Sequence, residues 1–214
     1  VYLLVITMFA LVAAALARAA DLRRHRYRAA RALALAAGIS VIVLLPFLLP
    51  YWFVSRALGL VRSLDDAGHY AAAWSSYLTT PARVHAWWSS RVADANVLFP
   101  GALGLLLTGV ALLKGDALRD SRARMCIAIG IAGVALSFGS QMPGYSVLYD
   151  AMPLLRGIMA TARFGILATL AVAVLGAYGV VALRKMMPVR AWPIVSVLLA
   201  ACASLESLAA PLGL

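Results

Sequence analysis

Residues Phe164–Leu183 read FGILATLAVAVLGAYGVVAL, a run free of Asp, Glu, Lys and Arg. At about 20 residues it matches the length a helix needs to cross a hydrocarbon layer ~30 Å thick. The apolar residues show no strict two-residue alternation, and lipid cannot satisfy backbone N–H and C=O groups, so a helix is expected here and not a barrel strand. Five further apolar stretches repeat the pattern: Val1–Ala17, Ala32–Val54, Val97–Leu113, Met125–Ser140 and Ala191–Ala209. With 64% hydrophobic residues and a mean hydropathy of +0.92, the chain carries more apolar surface than one soluble core hides. The expected fold is all-α: a polytopic transmembrane bundle of about six spans, forming one domain over residues 1–214.

The cations between these stretches set an orientation. Arg18, Arg23, Arg24, Arg26, Arg28 and Arg31 follow the first stretch; Lys114, Arg119, Arg122 and Arg124 follow the third; Arg184, Lys185 and Arg190 follow the fifth. Lys and Arg in short loops resist translocation. Segments 18–31, 114–124 and 184–190 are therefore expected on the cytoplasmic side, and both chain ends outside. The longer segments 55–96 and 139–163, which hold only Arg56, Arg62, Arg83, Arg91, Arg156 and Arg163, are then the outer ones. The net charge of +11 follows from this topology signal and from attraction to anionic headgroups, which argues against nucleic acid as a partner. Val1 is neither an initiator methionine nor the start of a signal peptide, so the chain reads as a fragment of a longer protein.

Within the spans, small residues at Ala128 and Ala132, Gly133 and Ser137, and Thr169, Ala173 and Ala177 predict close packing of the fourth and fifth helices. Pro46, Pro50, Pro100 and Pro193 are expected to mark helix ends. Cys126 and Cys202 lie in different spans and offer no disulfide framework. Tyr51, Trp52, Phe53 and Trp192 suit the headgroup level.

Chemistry is expected in the outer segments. In the first, a surface helix should carry Arg56, Arg62, Asp65, Asp66 and His69 among Leu58, Leu60, Val61 and Leu64. Asp65 and Asp66 lie four and three residues before His69, so the imidazole can meet either carboxylate. Three uses are open: a helix-stabilising charge cluster, a general acid–base pair, or a divalent-metal site. Adjacent carboxylates point ~100° apart on a helix, and no HExxH-type spacing is present. Trp74, Tyr77, Trp87 and Trp88 are candidate sugar platforms. In the second segment, Gly139, Pro143 and Gly144 predict a turn, and 145–152 a short interfacial helix ending at Pro153. Arg156 and Arg163 are the candidates for holding a phosphate, where headgroup snorkelling competes with that role; Arg62 and Tyr149 are further substrate-binding candidates. Glu206, near the end of the last stretch, reads either as solvent-exposed or as facing a cavity.

The order SRALGLVRSLDDAGHY at 55–70, YLTTP at 77–81 and NVLFPG at 96–101, then FGS at 138–140, YSVLY at 145–149 and MPLLRGIMATARF at 152–164, resembles the later part of bacterial multi-pass proteins of the GT-C glycosyltransferase superfamily. The resemblance spans about Ser55–Tyr178. It implies transfer of a sugar from a polyprenyl-phosphate carrier at the outer face of the cytoplasmic (inner) membrane. It also implies an acidic base upstream of Val1, and a phosphate held by Arg156 or Arg163. The sequence identifies no cofactor, and the resemblance leaves room only for a divalent metal in the full-length protein. The alternative is a non-catalytic carrier-binding, transport or scaffold subunit. Span centres without ionisable groups and the lack of an internal repeat disfavour coupled ion transport.

Overall fold

The computed structural model describes residues 2–24, 68–92, 94–114, 117–152 and 160–208, together with Leu155, Ile158 and scattered positions between 27 and 54. These residues are helical or irregular. Eight α-helices are found among them: α1 (Tyr2–Ala17), α2 (Ala19–Arg24), α3 (Ala86–Ser89), α4 (Ala102–Lys114), α5 (Ser121–Ser137), α6 (Tyr145–Ala151), α7 (Gly165–Met186) and α8 (Trp192–Ser207). The positions described between 34 and 54 are also helical, Pro46 and Pro50 included, and helix is found beyond both at Phe53 and Val54, so these prolines are not the helix end that was expected.

Among the described residues, one helix is long and apolar enough to cross a membrane: Thr161–Met186, which joins a 3-10 turn to α7. The 22 residues of α7 alone extend roughly 33 Å at ~1.5 Å per residue. The helices α1, α4 and α8 are apolar but shorter. The third expected span begins late for a local reason. Pro100 disfavours helix at Phe99, Gly101 takes φ +98°, and the N–H groups of Leu98 and Phe99 donate to Ser76 and Thr79 carbonyls instead of to a helix ladder.

The helices stand in the order α1, α5, α7, α4, with α8 beyond α4. α7 is central, and its buried side is Leu167, Ala168, Ala171, Leu175, Gly176, Gly179 and Ala182. The expected Thr169, Ala173 and Ala177 stripe is instead exposed. Close approach on α5 runs through Gly133, as expected, and through Gly130: a Cβ on Gly133 would lie 2.6 Å from Leu167 Cβ, and one on Gly130 would lie 2.7 Å from Ala171 Cβ. The fourth and fifth stretches do pack together, but α7 presents a face one position away from the repeat that catches the eye.

At one end of the bundle, the described residues of 68–101 and 139–163 cover the helix ends as a cap, tied together by backbone hydrogen bonds such as Ala162 N–H to the Tyr70 carbonyl. The core beneath it gathers Val5, Ile6, Leu136, Tyr145, Tyr149, Leu155, Phe164 and Leu167. At the other end, beside the basic loops, Asp120 N-caps α5 by accepting from the Arg122 N–H at 2.8 Å, and it also accepts from the Tyr178 hydroxyl at 2.8 Å. The Arg184 guanidinium lies 6.0 Å from the Trp192 ring centroid, bridging α7 to the start of α8.

Candidate functional site

The cap is held by side chains that bond to backbone, which is why most of it is not helical. Ser76 Oγ accepts from Ala73 N–H at 2.9 Å, and Thr79 Oγ1 donates to the Val92 carbonyl at 2.8 Å. Ser89 Oγ donates to the Thr80 carbonyl at 2.8 Å and accepts from Thr80 N–H at 3.1 Å. Most of the expected surface helix, residues 55–67, lies outside the described residues; from Tyr70 onward the chain forms turns, two 3-10 segments (Ser75–Tyr77 and Arg83–His85) and the four-residue α3 in place of a continuous helix.

Asp94 anchors the far side of this loop. Its carboxylate accepts from the Ser75 hydroxyl and, at 3.0 Å, from Asn96 N–H. These two hydrogen bonds hold its pKa below the ordinary 3.8. Because the folded value is the lower one, this stabilisation is fully present above the ordinary value and disappears as pH falls through the folded one. Melting temperatures measured from about pH 5 down to about pH 3 should consequently fall more steeply for the native chain than for Asp94→Asn.

Two of the expected site residues come from segments that the fold brings together. The Ala162 N–H donates to the Tyr70 carbonyl at 3.2 Å, and Ala72 N–H donates to the Ser137 carbonyl at 2.8 Å. His69 is exposed and lies edge-on to Tyr70, with ring centroids 5.0 Å apart. Arg163 is exposed in the 3-10 turn that leads into α7. The imidazole and the guanidinium thus belong to two backbone segments hydrogen-bonded to each other at the cap end of the longest apolar helix. Arg62, Asp65, Asp66 and Arg156 lie outside the described residues. Tyr149 is only 8% exposed and packs in the core under the cap.

The aromatic candidates divide. Tyr77 shares a 2.8 Å hydrogen bond with Ser137 Oγ, and Trp88 Nε1 donates to the Leu78 carbonyl at 3.0 Å, so both secure the cap. Trp74 and Trp87 are 74% and 69% exposed and remain available as platforms.

A second constellation involves a residue that sequence reasoning did not single out. His85 is 7% exposed. Its ring stacks on Trp88 at 4.2 Å and meets Phe99 edge-on at 5.3 Å. Its Nε2 lies 2.6 Å from Glu206 Oε1. The same carboxylate accepts from the backbone N–H of Ala102 and, at 3.1 Å, from that of Leu103. Glu206 therefore caps α4 from a different helix, and a negative group at the positive end of a helix is favourable. It is not simply solvated: it borders a cleft, the second of the two expectations for this residue, with its carboxylate tied to α4 and His85. One sign was legible: Glu206 is a carboxylate in an apolar run, which needs a partner. Its partner, 121 positions away, was not.

Against models of protein families, curated proteins and solved structures, the chain finds no match.

Tyr145 bears on the available chemistry. It is wholly buried, and its hydroxyl has no hydrogen-bond partner among the described residues. Desolvation, then the neighbouring Tyr149, push its pKa up to about 12, so the phenol stays protonated and cannot serve as a base near neutral pH. Among the described residues, no three His, Cys, Asp or Glu side chains converge as a metal site requires.

Proposed function

We propose that this chain is the carrier-side membrane portion of a GT-C-type glycosyltransferase, binding a polyprenyl-phosphate-linked sugar at the outer face of the bacterial cytoplasmic membrane. In this reading the six apolar stretches are spans of one transmembrane domain, the cap lies outside, and segments 18–31, 114–124 and 184–190 face the cytoplasm. Membrane lipids surround the bundle.

The observation that carries the reading is Arg163, an exposed cation at the cap end of Thr161–Met186, on a segment hydrogen-bonded to the one carrying His69. A lipid whose chain lies along that helix brings its phosphate to the level of this guanidinium. An arginine there binds phosphate through paired N–H donors and offsets charge developing on the leaving group. Trp74 and Trp87 would offer faces to the sugar. The base that deprotonates the acceptor belongs, in this reading, to the part of the protein before Val1.

Replacing Arg163 with alanine in the intact protein should weaken binding of a polyprenyl phosphate about 10- to 100-fold, the equivalent of ~1.5–3 kcal/mol for a charge-assisted hydrogen bond. Arg163→Lys should recover part of the loss. Titration of detergent-solubilised protein with a short-chain polyprenyl phosphate measures both, and unchanged affinity in the alanine variant would remove Arg163 from the site.

A non-catalytic carrier-binding, transport or scaffold role is the second reading. It is favoured by the placement of Asp94 and Glu206, whose carboxylates are committed to holding backbone. Sugar-transfer activity in the full-length protein, and its loss on substituting Arg163, separates the two.

A further inference from the structure

Glu206 lies at the end of a cleft that the fold leaves between α8 and the α4/α7 pair. The cleft has a volume of about 420 Å³, and its walls include Gly104, Ala173, Gly176, Ala177, Ala203 and Glu206. Apart from the Glu206 end the lining is apolar. It exists because small residues of α7 face a helix that never closes on them: α8 has no buried residue along its length. α8 meets the cap around Arg83–His85, and meets α4 through only slight contact. The interactions that fix it are concentrated at one end, where Glu206 binds His85, Ala102 and Leu103 and where Leu208 accepts from the Arg83 N–H at 3.0 Å.

We propose that this cleft is a lateral site for one hydrocarbon chain of a membrane lipid, and that the Glu206–His85–α4 contact is the clasp that holds α8 at the width the chain requires. Helices in lipid associate through packing, and a gap lined by small apolar groups loses those dispersion contacts unless something apolar fills it. The polarity profile selects a lipid: the cleft is apolar along the helices and polar only at the cap end, where a headgroup would emerge near exposed Arg83, whose N–H donates to Leu208 just past the end of α8. A water column would lack partners along the apolar walls. A second protein copy would have to insert a helix where the clasp already closes one end. The inference rests on the membrane reading above and is independent of sugar transfer.

The test uses the full chain in vesicles of phosphatidylethanolamine and phosphatidylglycerol, with a fraction of the phosphatidylglycerol bearing a photoactivatable acyl chain. Cleft residues Ala177 and Ala203 should be labelled several-fold more than Leu170, which is exposed on α7 but does not line the cleft. Ala203→Trp, which fills the space, should abolish the excess. In parallel, spin labels on native Cys202 and on an introduced Leu106→Cys, with Cys126→Ser, should give a narrow distance distribution. That distribution should broaden in Glu206→Ala and in His85→Ala, the latter leaving the α4 cap in place. Equal labelling of cleft and control positions, crosslinks between copies at α8 in place of lipid labelling, or unchanged distances in both clasp variants would each overturn the proposal. Release of the chain from the vesicles by alkaline washing would overturn the membrane reading and this inference together. Loss of the Arg163 effect alone would leave this inference standing.

Discussion

Glu206→Ala is expected to lower the unfolding free energy by about 2–4 kcal/mol, as followed by helix loss during thermal or denaturant unfolding in detergent micelles. Removing a helix N-cap costs ~0.5–2 kcal/mol, and leaving a buried polar partner unsatisfied costs a further ~1–3 kcal/mol. Both apply here, since the carboxylate serves two N–H groups of α4 and the buried His85 ring. Glu206→Gln keeps one oxygen acceptor and should fall between the native chain and the alanine variant. A carboxylate that merely sits in solvent at the end of a helix would give a change within ~0.5 kcal/mol. That result would show that α4 finds its cap elsewhere.

Gly179→Ala should be comparably damaging, through packing. A Cβ at this position would lie 2.0 Å from the Leu107 carbonyl oxygen and 2.6 Å from its carbon. Both are backbone atoms, which cannot swing aside as a side chain does. α4 and α7 must separate, and overpacking of a tight contact costs ~1–3 kcal/mol or more. Gly109→Ala is the matched control: it lies on α4, and nothing stands within 4 Å of its added Cβ. There the better helix propensity of alanine should leave stability unchanged or raise it by up to ~1 kcal/mol. Unfolding both variants side by side measures the contrast. Equal effects would mean that α4 and α7 are not in backbone contact at Gly179.

The apolar helices outside the cap were legible in the sequence because each is a long apolar run, whereas the short, charged α2 was not. α1, α5, α7 and α8 begin and end within a few residues of the expected Val1–Ala17, Met125–Ser140, Phe164–Leu183 and Ala191–Ala209. The short α6 was legible as well, since Gly144 at φ +83° starts it and Pro153 follows it. The cap was not. Residues 70–81 hold Tyr, Ala, Trp and Leu enough to suggest a surface helix, yet Ser75, Ser76, Thr79 and Thr80 divert the chain by bonding to backbone and to side chains far along it. No local rule indicates which of two competing hydrogen-bond sets wins when the deciding acceptors lie at Val92 and Asp94.

The candidate site shows the same division. Arg163 was legible because a lone cation beside a long apolar run stands out, whereas its proximity to the His69–Tyr70 segment depends on how the two cap segments cross. The faces of α7 follow a similar logic. Thr169, Ala173 and Ala177 form the repeat visible in the sequence, but the neighbours of α7 meet the face of Gly176 and Gly179. In an alanine-rich helix several faces are equally smooth, and only the volume of the facing side chains chooses among them.

What the sequence by itself determined is the part governed by local composition: an all-helical chain, the positions of its apolar helices, the cations between them and the turn residues that end them. What only the tertiary structure decided is which groups meet: Glu206 on the first turn of α4, His85 against Glu206, Gly179 against Leu107, and the cleft beside α8. Apolar length and turn chemistry act over a few residues and can be read along the chain. A carboxylate's partner is chosen by the free energy of leaving it unpaired, and that choice is made only after distant helices have packed.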